Sequence, residues 1–377
     1  MTQNSIHYSF WPLLKLYQFT GVFCLEKFES DQLKPMKTRK CLIRYIVTFI
    51  LIHTSIVLSV GLIGIIDVLK IEANFTNSLI ELCALCLLII ALYGLHFSTI
   101  WRLIDTKSRL SELLNSLAKI QQQMQSQGAM QILLCLIMHF VSLLLVMIGY
   151  GWSILVKLQE VTFMQTFFYV VGMTISITWT WAPILSIFII FSIVCNLLMS
   201  WIQAIQKQFE NQDMNTMMIM ENCLSLYKNG IKKVNQELSL TLFLITTFIL
   251  IMLVTSFYIS ISFAFFSGSN GGIQSKMVAA GYLCFSVAKL WSLCYLNSFS
   301  QKVSDQVMEL REQLTNLSNL EPIVEQSRSK AVQLLNLFHG FDGCGFITFG
   351  RPLLTSILTS VVTYTIILVQ FKESSIV

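Results

Sequence analysis

Apolar residues along this chain gather into runs instead of alternating, and seven of the runs are long enough to cross a bilayer. They fall at about 43–66, 79–100, 132–156, 166–200, 240–266, 277–299 and 350–371. The fourth is longer than hydrocarbon alone requires, so it tilts or continues past the membrane. Helices are the expected form, because a backbone in hydrocarbon must satisfy its amides within its own segment. Between the runs a different pattern appears. Val303, Val307, Leu310, Leu314 and Leu317 recur at steps of three and four among Gln, Glu, Asp and Arg, and Leu110, Leu113, Leu117, Ile120 and Met124 are spaced similarly. Such stripes are too narrow and too flanked by charge to lie well on lipid, and they suit packing against another helix. Residues 201–239 contain no Pro and only Gly230 as a breaker, so spans four and five are expected to run on as helices. The predicted fold is an all-α membrane protein of seven transmembrane helices with helical cytoplasmic extensions.

Composition agrees. Hydrophobic residues make up 55% of the chain and charged residues 12%, against roughly 25% charge in soluble domains. Mean hydropathy is +0.68. The stretch "SFWPLLKLYQF" is interrupted by Pro12 and Lys15, so no cleavable leader is expected. A net charge of +5 does not point to nucleic acid, because the basic residues sort by topology.

Lys15, Lys27, Lys34, Lys37, Arg39, Lys40 and Arg44 precede or open the first span, and the connections 101–131, 201–239 and 300–349 carry four basic residues each. The opposite side has Lys70, Lys157, Lys276 and Lys372. Basic loops stay in the cytoplasm. The N-terminus is therefore predicted cytoplasmic and the C-terminus extracellular, the inverse of a G-protein-coupled receptor. The sequon Asn74-Phe75-Thr76 then lies in the first outer loop, open to glycosylation, whereas Asn316-Leu317-Ser318 lies inside and stays unmodified.

Most candidate chemistry reduces to structure. Cys83 and Cys86 form a CxxC inside an apolar span with no second pair and no nearby His, which suits small buried hydrophobes better than a metal site. The predicted outer loops carry no Cys, so no structural disulfide is expected, and no metal or other cofactor is implied. Gly340, Gly343, Gly345 and Gly350 lack the strand, helix and Lys-Ser/Thr ending of a phosphate loop, and read as a tight turn re-aiming the chain into the last span. Gly350-Arg351-Pro352 suits a helix start. With no intramembrane carboxylate pair either, an enzyme is not expected.

Four titratable residues fall in or near spans: His53, Glu81, His96 and Lys289. Glu81 is close to the outer face and Lys289 lies about 18 Å down its helix, so direct pairing is not expected. The histidines read as interhelical hydrogen-bonders, and Lys289 as facing a wet cavity or an interhelical carbonyl. Aromatic residues crowd the outer ends of the middle spans, at Tyr150, Trp152, Tyr169, Trp179, Trp181 and Tyr258. An interfacial belt explains some of them. Trp179-Thr180-Trp181-Ala182-Pro183 lies deeper, where Pro183 can kink the helix and open a small-molecule pocket.

The last span carries the sharpest pattern. Ser356, Thr359, Thr363 and Gln370 step by three, four and seven, and Ser360, Tyr364, Ile367 and Phe371 run beside them. One helical face therefore bears hydroxyls and an amide, edged by large apolar groups. Such a face must meet protein or water. It is either an interhelical hydrogen-bond seam or a pore wall, where neutral hydroxyls give ions weak contacts and Ile367 with Phe371 close the path by dewetting. One span per chain cannot make a pore, so that second reading demands an oligomer, for which the 303–317 stripe offers a contact.

Within that span, "TYTIILVQF" at 363–371 resembles the Thr-Tyr, five apolar residues, Gln-Phe signature that ends insect gustatory receptors, and "GFITFGRPLLTSILTSVV" resembles the approach to it. Spans, orientation and length agree along the whole chain. The resemblance implies a tastant-gated, poorly selective cation channel of four subunits, homomeric or mixed with other gustatory receptor subunits, in the plasma membrane of gustatory neurons. It implies a pore lined by the last helix, with Gln370 and Phe371 at an outer gate and Thr363 and Tyr364 positioning the helix. A small-molecule tastant would bind in the outer half of the other helices. Many sugar-sensing members have Glu after the Thr-Tyr pair; Thr365 stands here. The organisation expected is a cytoplasmic segment 1–42, spans one to six over 43–299, a subunit-contact layer of amphipathic helices over 300–349, the pore helix over 350–371 and an outer tail 372–377. The alternatives are a receptor signalling through cytoplasmic partners, or a co-receptor subunit of a mixed channel.

Overall fold

The computed structural model describes residues 18, 21, 25–27, 33–61, 79–124, most of 184–206, 214–266, 272–316, 322–338 and 340–374. Its helices are α1 (Thr38–Gly61), α2 (Leu79–Asp105), α3 (Lys107–Met124), α4 (helical positions between 184 and 206), α5 (Met214–Ile261), α6 (Gly272–Thr315), α7 (Pro322–Asn336) and α8 (Arg351–Ser374). Two antiparallel ladders join them, β1 (Leu25–Lys27) with β2 (Leu33–Pro35) and β3 (Asp342–Gly343) with β4 (Ile347–Thr348). Among the described residues, α2, α5, α6 and α8 are each long and apolar enough to cross a membrane.

The expected helical extensions are present. α5 has 48 residues and α6 has 44, so at 1.5 Å per residue each runs more than 60 Å, roughly twice the hydrocarbon thickness. The uncharged stretch of α5 begins after Glu237; the part before it holds Lys228, Lys232 and Lys233. α2 crosses α5 closely because Gly94 faces Phe248, where a Cβ would come within 2.8 Å of Cε1. α5 and α6 are stitched by Ser256 and Ser286, whose hydroxyls lie 2.6 Å apart, and by Ser260, which donates to the Ala279 carbonyl at 2.8 Å. Small polar residues at such a seam allow close approach in lipid, where apolar burial gives no preference for one helix over another.

One expected role changes. Val303, Val307, Leu310 and Leu314 are fully buried within the chain, in one core with Ala331 and Leu335 of α7 and Phe341 beyond it. Arg328 fastens α7 by donating to the Leu314 and Thr315 carbonyls at 3.2 and 3.0 Å. The periodicity was a helix-packing stripe, but its partner is the next helix of the same chain, so this face is not available to hold a ring of subunits together. The expectation of no structural disulfide also fails: Cys41 is disulfide-bonded, with its partner outside the described residues.

Candidate functional site

α8 has three distinct faces. Leu354, Ile357, Val361, Thr365 and Leu368, at steps of three and four, turn inward; Ile357, Val361 and Thr365 are buried and the other two half-buried. Leu358, Val362 and Ile366 form an exposed apolar flank. The remaining face carries Ser356, Thr359, Thr363 and Gln370, all exposed, together with exposed Tyr364, Ile367 and Phe371. Every residue expected at the pore or gate therefore lies on the more exposed side of α8. Only 17% of the spanning part of α8 is buried, against 39%, 50% and 44% in α2, α5 and α6.

The hydroxyls on that side are turned back. Ser356 donates to the Pro352 carbonyl at 3.1 Å, Thr359 to Thr355 at 3.0 Å and Ser360 to Ser356 at 2.9 Å. With the O–H engaged along the helix, what each group offers outward is oxygen lone pairs. Thr365 is the polar residue on the inward face. Its Oγ1 is buried and has no hydrogen-bond partner among the described residues.

The N-terminal end of α8 is fixed by long-range polar contacts. Asn297 Oδ1 accepts from the Gly350 N–H at 2.9 Å, Gln301 Oε1 accepts from the Arg351 N–H at 3.0 Å, and Ser300 donates to the Phe349 carbonyl at 2.9 Å. Side chains of α6 thus cap the N–H groups that a helix start leaves without intrahelical partners. Immediately before, the β3–β4 hairpin reverses through Cys344 and Gly345, both at positive φ, 57° and 74°. A Cβ at Gly343 would meet Ile347 Cγ1 at 2.5 Å, so the hairpin needs glycine there. Ser239 of α5 donates to Asp342 at 3.0 Å and accepts from the Cys344 N–H, while Asn235 donates to the Gly340 carbonyl at 3.1 Å. The glycine-rich segment is the expected re-aiming turn, clamped between α5 and α6.

Other expected residues are placed unevenly. His96 is an interhelical hydrogen-bonder, its Nε2 2.8 Å from Tyr45 Oη of α1. Lys289 is fully buried, with its ammonium 4.3 Å from the Phe285 ring centre, a cation–π contact. Tyr258 is fully buried, one turn before a π-helical turn at Ser262–Phe266, a local insertion frequent at functional sites. Tyr150, Trp152, Tyr169, Trp179, Trp181 and Asn74 lie outside the described residues, as do the side chains of His53 and Glu81. No group able to hold a metal occurs among the described residues. Asn235, Ser239, Asn297, Ser300 and Gln301 were not singled out by the sequence, and Thr365 was noted only as a departure from the sugar-sensing pattern; the clearest hint was the polar cluster "NSFSQ" at the C-terminal end of span six.

The profile of the 7tm chemosensory receptor family matches residues 11–375. The chain belongs to that family. The receptor's backbone also resembles two structures of the insect olfactory receptor OR5 from Machilis hrabei. With the one in complex with eugenol the TM-score is 0.67 at 13% identity, covering 98% of this chain and 100% of that chain. With the second it is 0.65 at 13% identity and the same coverage. At that identity the likeness speaks to fold alone. A search of curated proteins gave no match. The receptor thus has the seven-helix fold expected from its sequence, and it is a chemosensory protein, not an enzyme.

Proposed function

We propose that the receptor is a gustatory receptor acting as a tastant-gated, non-selective cation channel. In this reading α8 of each of four subunits lines a central pore, with Gln370 and Phe371 at its outer gate. The observation that carries it is the face of α8 bearing Ser356, Thr359, Thr363 and Gln370, which the chain's own helices leave bare. Lipid cannot satisfy such a face, and the neighbouring flank of Leu358, Val362 and Ile366 suits lipid or protein instead. Hydroxyls that donate inward and present lone pairs outward favour passing cations over anions. The terminal "TYTIILVQF" favours a taste receptor over an olfactory one, and a tastant would bind in the outer half of the helices, where Tyr258 lies.

Excised membrane patches containing only this chain test the reading. Tastant-evoked current is expected without cytosol, and Gln370→Ala or Phe371→Ala should change conductance or gating. Current that requires soluble partners, or two variants indistinguishable from the parent, would overturn it.

A further inference from the structure

A cavity of about 550 Å³ lies between α5, the end of α7 and the β3–β4 hairpin. Its volume is in the range of small-molecule sites. Leu224, Ile231, Leu240, Leu334 and Phe338 supply apolar wall. Lys228 and Lys232, one turn apart on α5, line the same space, and neither meets an acidic side chain or hydrogen-bond acceptor among the described residues. Asp342 also lines it, with one carboxylate oxygen accepting from Ser239.

One further observation points to a ligand. Tyr227 lines the cavity at 2% exposure, and its hydroxyl has no hydrogen-bond partner among the described residues. Buried polar atoms of this kind are costly unless something bonds them. The cavity also straddles the level at which α5 changes from charged to uncharged sequence: the lysines precede Glu237 and Leu240 follows it. On the uncharged side Phe346 is 80% exposed and packs on Phe243, their ring centres 5.7 Å apart. Phe338 lies beside Tyr227, their ring centres 6.4 Å apart, so the apolar wall begins next to the lysines and continues to Leu240, an arrangement that suits an amphiphile at a membrane boundary.

We propose that this cavity binds an anionic amphiphile, an acyl chain bearing a phosphate or carboxylate head. Lys228 and Lys232 hold the head, with the Tyr227 hydroxyl as a further donor, and Leu240, Leu334 and Phe338 enclose the start of the chain. The proposal stands whether or not α8 lines a pore. Cys344, a free and exposed thiol on the cavity wall, gives a reporter that needs no channel activity.

Full-length receptor is placed in phosphatidylcholine nanodiscs, alone, with phosphatidic acid, or with oleate, and Cys344 alkylation is followed by peptide mass spectrometry. The anionic additions should slow alkylation where phosphatidylcholine does not. Lys228→Gln with Lys232→Gln should raise the half-protecting amount about 30-fold, about fivefold per lysine, from roughly 1 kcal/mol per basic residue at an anionic surface. Leu334→Trp, which fills the wall and keeps both lysines, should leave alkylation independent of either addition. Protection by phosphatidic acid alone identifies a bilayer lipid, by oleate alone a free fatty acid, and by both the shared chemistry; each upholds the site. Protection by neither, equal protection by phosphatidylcholine, or two variants that behave as the parent would overturn it.

Discussion

Thr365 occupies the position where many sugar-sensing gustatory receptors carry Glu, and in this receptor that position faces inward. Its relative exposure is 6% and its hydroxyl has no described partner. Thr365→Val should therefore leave the melting temperature of detergent-solubilised receptor unchanged or raised, since it removes a buried polar group without changing shape. Thr365→Glu should lower it, because a carboxylate there would be buried. The reverse ranking would place this side chain in water and undo the assignment of faces on α8. Ser239 makes the opposite case. It bonds the first strand and the turn of one hairpin, and Ser239→Ala should cost about 1–3 kcal/mol, read as a lower melting temperature with faster Cys344 alkylation. The stripe Ser356–Thr359–Thr363–Gln370 was legible because helical faces follow from spacing alone. The role of Ser239 was not, since its partners lie more than a hundred residues away.

At the scale of helices, α2 against α5 shows how one missing side chain sets a crossing. Gly94→Ala should push the Phe248 ring aside at a cost of about 1–3 kcal/mol, and adding Phe248→Leu should restore most of the loss. Thermal stability of the two single variants and the double variant tests this; simple additivity would mean that the contact does not couple the helices. The 303–314 stripe carries a lesson about legibility. Steps of three and four state that a helix is packed, and they do not state against what. The answer depended on α7 packing back onto α6, which no local pattern announces. α5 and α6 were easier, because an uninterrupted run without Pro leaves the chain little alternative to a long helix.

For the molecule as a whole, the proposed four-subunit channel makes its sharpest demand on the exposed side of α8. Thr363→Cys should form cross-links between copies in native membranes under mild oxidation, and Val361→Cys, which is buried, should not. Cross-linking at Val361→Cys instead would mean that the helix is rotated from the orientation described. The orientation proposed from the basic loops, with the N-terminus cytoplasmic, is open to a direct test. Glycosidase should shift the mobility of the parent and leave Asn74→Gln unchanged, and a shift that disappears with Asn316→Gln instead would reverse the topology.

The capping of α8 by α6 has a mechanical consequence. Its described hydrogen bonds to other elements concentrate where Gly350 and Arg351 meet Asn297 and Gln301, and beyond that point its described contacts with the other helices are side-chain packing. It is a rod clamped at its base. From Arg351 to Phe371 is about 30 Å of helix, so a tilt of about 10° at the base carries the tip about 5 Å sideways. An angle too small to disturb the clamp becomes, at Gln370 and Phe371, a displacement about as wide as a side chain.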